Sequence, residues 1–205
     1  MSRPNRFGVS FRRSVRRVKG CCYRVEKLLV ARRLAITDCE LIYESAFLSA
    51  VARFEGLLNQ LLVEFICGKA SRKAGQYTLL VPRTRQAFTE ILSAGRSYVD
   101  LMPYKDCVEI SKRFLNDGHP FSDVDPMDRN ILANIMLIRN AIAHKSNSAL
   151  SGFRKDVPGV AYLPPAKQFP GAYLRVTYRA VPPETWSELY FNTLEKVGLQ
   201  LASAW

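Results

Sequence analysis

The stretch DPMDRNILANIMLIRNAIAHKSNS, Asp125 to Ser148, constrains this chain more than any other. It opens on Asp-Pro. An aspartate accepts unpaired N–H groups of a first helical turn, and proline fits the first position because its missing donor is not needed there. Asp128 then places a negative charge at the positive end of the helix dipole. At about 100° per residue, Ile131, Ile135, Ile138 and Ile142 fall within roughly 60° of one another and must face a core. Ala133 and Leu137 lie on nearly the opposite side, with Asn140 and His144 beside them. A helix apolar on two sides is sandwiched, and the second layer can be another subunit. The helix is expected to run over residues 125–147.

The rest of the chain also reads as mainly helical. Residues 1–10 look like a loose basic arm. From Phe11 to Ile36, Val15, Val18, Cys22, Val25, Leu29 and Leu34 recur among arginines at helical spacing. Thr37-Asp38-Cys39-Glu40 matches a capping box, so a long helix is expected from there to Cys67. Phe54, Leu58, Leu61 and Phe65 form its buried stripe, widened by Leu57 and Leu62. A basic, Gly- and Pro-broken loop and a short helix around residues 83–94 follow. Tyr104 to Gly118 is helical, closed by Asn116-Asp117-Gly118. After a proline-rich stretch, AYLRVTY alternates like a short strand or hairpin edge. The C-terminal ETWSELYFNTLEKVGLQLASAW returns to helical spacing. The expected fold is one all-α domain over residues 11–205, a helical bundle with a small irregular or β element in its C-terminal third.

Charge narrows the partners. The 205 residues carry 30 Lys and Arg against 18 Asp and Glu, a net charge of +12. Much of it lies early, where every Lys and Arg from Arg3 to Arg33 faces only Glu26. Such a field attracts polyanions such as nucleic acid, or an acidic protein, although a solvated helix face has the same composition. The cysteines Cys21, Cys22, Cys39, Cys67 and Cys107 are odd in number and contain no C-x-x-C, which fits neither a disulfide framework nor a zinc ribbon. His119 and His144 are the only histidines, so no metal or cofactor is expected. No uninterrupted apolar run nears the roughly 18 residues of a membrane span. The expectation is a cytoplasmic chain with no membrane partner.

Arg139, Asn140 and His144 carry the chemistry. An imidazole exchanges protons near neutrality, and a guanidinium binds phosphate in two-pronged fashion and stabilises charge developing on it. Asn140 can orient the ring or donate to a phosphate oxygen. RNA brings its own nucleophile, the 2′-hydroxyl, so such a set needs no metal to cut it. Arg139 is about 140° around the helix from His144. Two copies packed across a twofold axis would bring two sets into one cleft. A histidine closing a helix end, where it satisfies the dipole, is the competing reading.

The hexad Arg139-Asn140-Ala141-Ile142-Ala143-His144 resembles the R-N-x-x-x-H signature of HEPN domains. ESAFLSAVARFEGLLNQLL, Glu44 to Leu62, is similar to the long F-E-x-x-L helix that precedes the signature in that family. LMPYKDCVEISKRFLNDGHPFSDVDPMDRN resembles the approach to the signature helix in RiboL-PSP-type members. The likeness spans roughly Leu41 to Arg154. It implies an all-α bundle, a homodimer formed through the signature helices, and metal-independent endoribonuclease activity, in many members that of a toxin or an antiviral defence effector. By position, Arg139 would bind phosphate and the transition state, His144 would act as acid/base or as an orienting group, and Asn140 would be the polar support.

One departure bears on the antitoxin. In a branch of the family the signature extends to a Tyr two residues after the His, which the antitoxin modifies; here Ser146 stands there. Two further residues are candidates. Glu55 is polar on an apolar helix and can hold Arg139 or simply pair with Arg53 or Lys27 at the surface. Lys145 can bind RNA phosphate or be solvated. The alternative function is a non-catalytic HEPN module that binds RNA, nucleotide or a protein partner.

Overall fold

The structure, a computed structural model, describes residues 3–67, 86, 90 and 101–204. Among these residues the fold is all-α with one small antiparallel sheet near the C-terminus, as the periodicity predicts. In chain order the helices are α1 (Arg3–Val30), α2 (Ile36–Cys67), α3 (Tyr104–Phe114), α4 (Pro126–His144), α5 (Asn147–Asp156), α6 (Pro170–Leu174) and α7 (Trp186–Ser203). The strands β1 (Thr177–Ala180) and β2 (Pro183–Thr185) form a hairpin between α6 and α7. The loop and the short helix expected between residues 68 and 94 lie outside the described residues, apart from helical Gln86 and Glu90.

Packing resolves two compact units. The first contains residues 1–12, 53–129 and 196–205, and the second residues 13–52 and 130–195. In the first unit the expected stripe is the core: Phe54, Leu57, Leu58, Leu61, Leu62 and Phe65 are all buried. Phe54 packs on Phe11 with ring centroids 5.8 Å apart, and Phe65 meets Phe121 edge-on at 5.7 Å. By length and composition alone α2 could cross a membrane, contrary to the reading of apolar runs, but half of that window is buried inside the protein. The segment expected as a loose arm is helical from Arg3. A Cβ placed on Gly8 would stand 2.6 Å from the Ala202 Cβ, so the missing side chain lets α1 approach α7 closely. Asp128, buried in this unit, faces Lys196 Nζ at 2.8 Å.

In the second unit Val15, Cys22 and Val25 of α1 are buried, as are Phe47 of α2, Ile135, Ile138 and Ile142 of α4, and Tyr190, Phe191 and Leu194 of α7. Ile131 is only half-buried; Leu132 takes its place. Three local expectations are corrected here. The first helix does not reach Ile36, because Arg32 takes a left-handed φ of 56° and breaks the chain after Val30. The capping box is not used: α2 already starts at Ile36, where the Cys39 amide donates to the Ala35 carbonyl at 3.1 Å. AYLRVTY is not a strand at its start, since Pro170 opens α6 and buries Tyr173 and Leu174; pairing begins at Thr177.

Arg175, just after α6, ties the unit together. Its Nε lies 2.7 Å from Glu26 Oε1 and its Nη2 3.2 Å from Glu26 Oε2. The Arg175 hydrogen bond holds the Glu26 carboxyl below its ordinary range, against a smaller upward push from burial. All five cysteines are free. Burial, foremost among the causes, pushes the Cys22 thiol up to about 12 and the Cys39 thiol up to about 11, so neither supplies a thiolate nucleophile at neutral pH.

Candidate active site

The approach to the site follows its predicted start. Asp125 Oδ1 accepts the Met127 amide at 2.8 Å, and the Asp125 carbonyl accepts the Arg129 amide at 3.0 Å, which makes Asp125 the cap of α4. The helix ends sooner than expected, at His144 rather than near residue 147. The Lys145 amide donates to the Ala141 carbonyl at 3.2 Å, and Lys145 itself adopts a left-handed φ of 49°. Ser146 is then extended, and its Oγ accepts the Ala149 amide at 3.3 Å to cap α5. A second helix, not anticipated from the sequence, therefore follows α4 after a two-residue corner, Lys145 and Ser146.

That corner sets the geometry of the candidate residues. Arg139 and Asn140 are half-buried one turn before it, and Arg139 Nη1 donates to Asn140 Oδ1 at 3.1 Å. His144 is the last helical residue and is exposed, as is Lys145. The His144 side chain makes no hydrogen bond or ion pair among the described residues. A short distance beyond it begins α5, whose N-terminal end favours an anion. Fixed guanidinium, open imidazole, lysine and positive helix end thus lie within nine consecutive residues, Arg139 to Asn147. This set can bind a phosphodiester and move a proton beside it.

Glu55 is half-buried on α2 in the first unit, whereas the Arg139 group belongs to the second. Among the described residues no group of three or more His, Cys, Asp or Glu is disposed to hold a metal ion.

The second face of α4 is only partly covered in the single chain: Ala133 is exposed and Leu137 is half-buried.

A feature the sequence did not announce lies just past the corner. An open depression of about 580 Å³ is lined by Asn147, Ser151, Arg154, Lys155, Ala161 and Gln168. Its one signal in the chain is the Arg154-Lys155 pair at the end of a short amphipathic helix.

Comparison of the chain with protein-family models, with curated proteins and with solved structures returns no match.

Proposed function

We propose that this chain is a metal-independent endoribonuclease of the HEPN type, acting as a homodimer and serving as a toxin or antiviral defence effector. The observation that carries this reading is the end of α4. Arg139 is held by Asn140 at 3.1 Å while His144, one turn further, is exposed and uncommitted. In the proposed reaction His144 accepts the proton of the 2′-hydroxyl or returns one to the leaving 5′-oxygen. The 2′-oxygen attacks phosphorus as the bond to the 5′-oxygen breaks, giving a cyclic phosphate and a free 5′-hydroxyl. Arg139 stabilises charge developing on the phosphorane, and Asn140 keeps the guanidinium in place. The partly apolar face around Ala133 and Leu137, only partly covered in one chain, supports packing of two α4 helices about a twofold axis. The excess of 30 cations over 18 acids supports a polyanionic substrate.

The test is cleavage of a labelled RNA in EDTA by wild type, Arg139→Ala and His144→Ala. Both variants are expected to remain dimeric and to lose cleavage by about 10²–10⁴-fold, the range of positioned acid–base and electrostatic contributions. Cleavage that appears only with added metal, or that survives both substitutions, overturns the reading. Equal RNA affinity in all three proteins with cleavage by none favours a non-catalytic binding module.

A further inference from the structure

Beyond His144 the polypeptide builds the depression on α5, and its surroundings combine two properties rarely left together at a surface. The first is uncompensated positive charge. Between Lys145 and Phe169 the cations Lys145, Arg154, Lys155 and Lys167 stand against Asp156 alone. Among the described residues, exposed Lys155 and Lys167 have no ion-pair partner. Arg154 is anchored: its Nε donates to the Gln168 carbonyl at 3.4 Å, and its guanidinium lies 5.2 Å from the Phe169 ring centroid. A planar cation is thereby held at the rim instead of sweeping through solvent.

The second property is aromatic. Tyr162, next to the lining residue Ala161, is 93% exposed, and Phe169, next to Gln168, is 48% exposed. The Tyr162 ring is not placed there by the demands of the core. Cations that follow a backbone, interleaved with rings that accept stacked bases, are what an unpaired nucleic-acid strand requires; a duplex offers phosphates but keeps its base faces stacked. Position connects the groove to the candidate chemistry, since Asn147 lines it only three residues after His144.

We propose that this groove binds a single-stranded RNA segment flanking the linkage presented to His144, with phosphates on Arg154 and Lys155 and a base stacked on Tyr162, a proposal that rests on the ribonuclease reading above. The groove selects unpaired RNA by requiring free base faces, and it sets how far from a helix junction the strand is cut.

The experiment is fluorescence anisotropy of the full chain with a labelled single-stranded 2′-O-methyl oligoribonucleotide, which lacks the attacking hydroxyl and reports binding without cleavage. Tyr162→Ala is expected to weaken binding about tenfold, the factor that 1.4 kcal/mol of base stacking represents. Tyr162→Phe keeps the ring and is expected to bind like wild type. Lys155→Ala is expected to weaken binding and to lower the salt slope by about 0.7, one single-strand phosphate contact. A duplex of the same sequence should not respond to Tyr162→Ala. Wild-type affinity in both Tyr162→Ala and Lys155→Ala, with unchanged circular dichroism, overturns the groove, as does an equal loss for the duplex. The two proposals fail separately. If His144→Ala cuts like wild type, the nuclease reading falls while the anisotropy series still decides the groove. If His144→Ala is inactive while Tyr162→Ala and Lys155→Ala both bind normally, the groove falls and the nuclease reading stands.

Discussion

Arg139 and Asn140 are consecutive residues, and the guanidinium of the first donates to the side-chain carbonyl of the second at 3.1 Å. Consecutive side chains on a helix diverge by about 100°, so this bond needs the arginine to bend across the helix surface. Removing the acceptor should free it. Asn140→Ala is expected to lower RNA cleavage by about tenfold, less than Arg139→Ala, because the charge survives but its position does not. Arg139→Lys is expected to fall near the alanine variant, since an ammonium lacks the two-pronged fork. Single-turnover rates on one defined RNA measure both.

The partly covered face of α4 makes oligomeric state a sharp test. Leu137→Arg puts a charge where the proposed twin helix would pack, and it is expected to convert a dimer to a monomer in analytical ultracentrifugation. Because Leu137 is half-buried in the single chain, the monomer should stay folded. Loss of cleavage with loss of dimer is the expected pairing. A wild-type chain that sediments as a monomer at every concentration removes the shared-cleft arrangement.

The left-handed Lys145 separates charge from backbone. Lys145→Gly suits a φ of 49° better than lysine does, so stability should hold or rise by up to about 1 kcal/mol in urea titrations. RNA affinity should nevertheless fall, and its salt dependence flatten, through loss of one cation beside the site. Unaltered affinity would assign Lys145 to the turn alone.

Gly8 tests whether the N-terminal residues belong to the fold. Gly8→Val places side-chain atoms where an added Cβ is already 2.6 Å from Ala202. Overpacking of this kind costs about 1–3 kcal/mol, read as a lower urea midpoint. A loose arm would tolerate the change without effect.

Arg175 and Glu26 predict a pH signature. The carboxyl is held below its ordinary range by the guanidinium, so the pair stabilises the fold above the unfolded-state value near 4.5 and loses that contribution as pH falls through the lower folded value. Arg175→Met is expected to cost about 1–2 kcal/mol at pH 7, discounted for the partial exposure of Glu26. The difference from wild type should shrink as pH falls below the unfolded-state value and through the lower folded one. Urea unfolding at pH 7 and in acid measures it.

Much of this was legible because burial repeats with the helix. Phe54, Leu58, Leu61 and Phe65 announced a core helix, and Asp125-Pro126 announced where α4 begins. The boundaries that failed lacked local punctuation. Nothing between Ala31 and Ala35 is Gly or Pro, so the left-handed Arg32 carries no signal in the chain. Thr37 has the right partner for a capping box, yet the Cys39 amide is already taken by the Ala35 carbonyl, so the helix starts before it. Ser146 caps α5 without an acidic residue three positions on, so the usual second half of the signal was missing. The α5 groove was beyond reach for another reason. Its lining runs from Asn147 to Gln168 through two turns of 3-10 helix, a juxtaposition that no periodicity encodes.

His144 occupies the final rung of α4, and the hydrogen bond that the Lys145 amide donates to the Ala141 carbonyl closes that rung. Terminal rungs open long before a helix melts, because breaking them exposes little apolar surface. The imidazole therefore goes astray under mild heat or dilute denaturant while the interior stays intact. The proposed cleavage should fade ahead of ellipticity, lost on warming well before the fold itself.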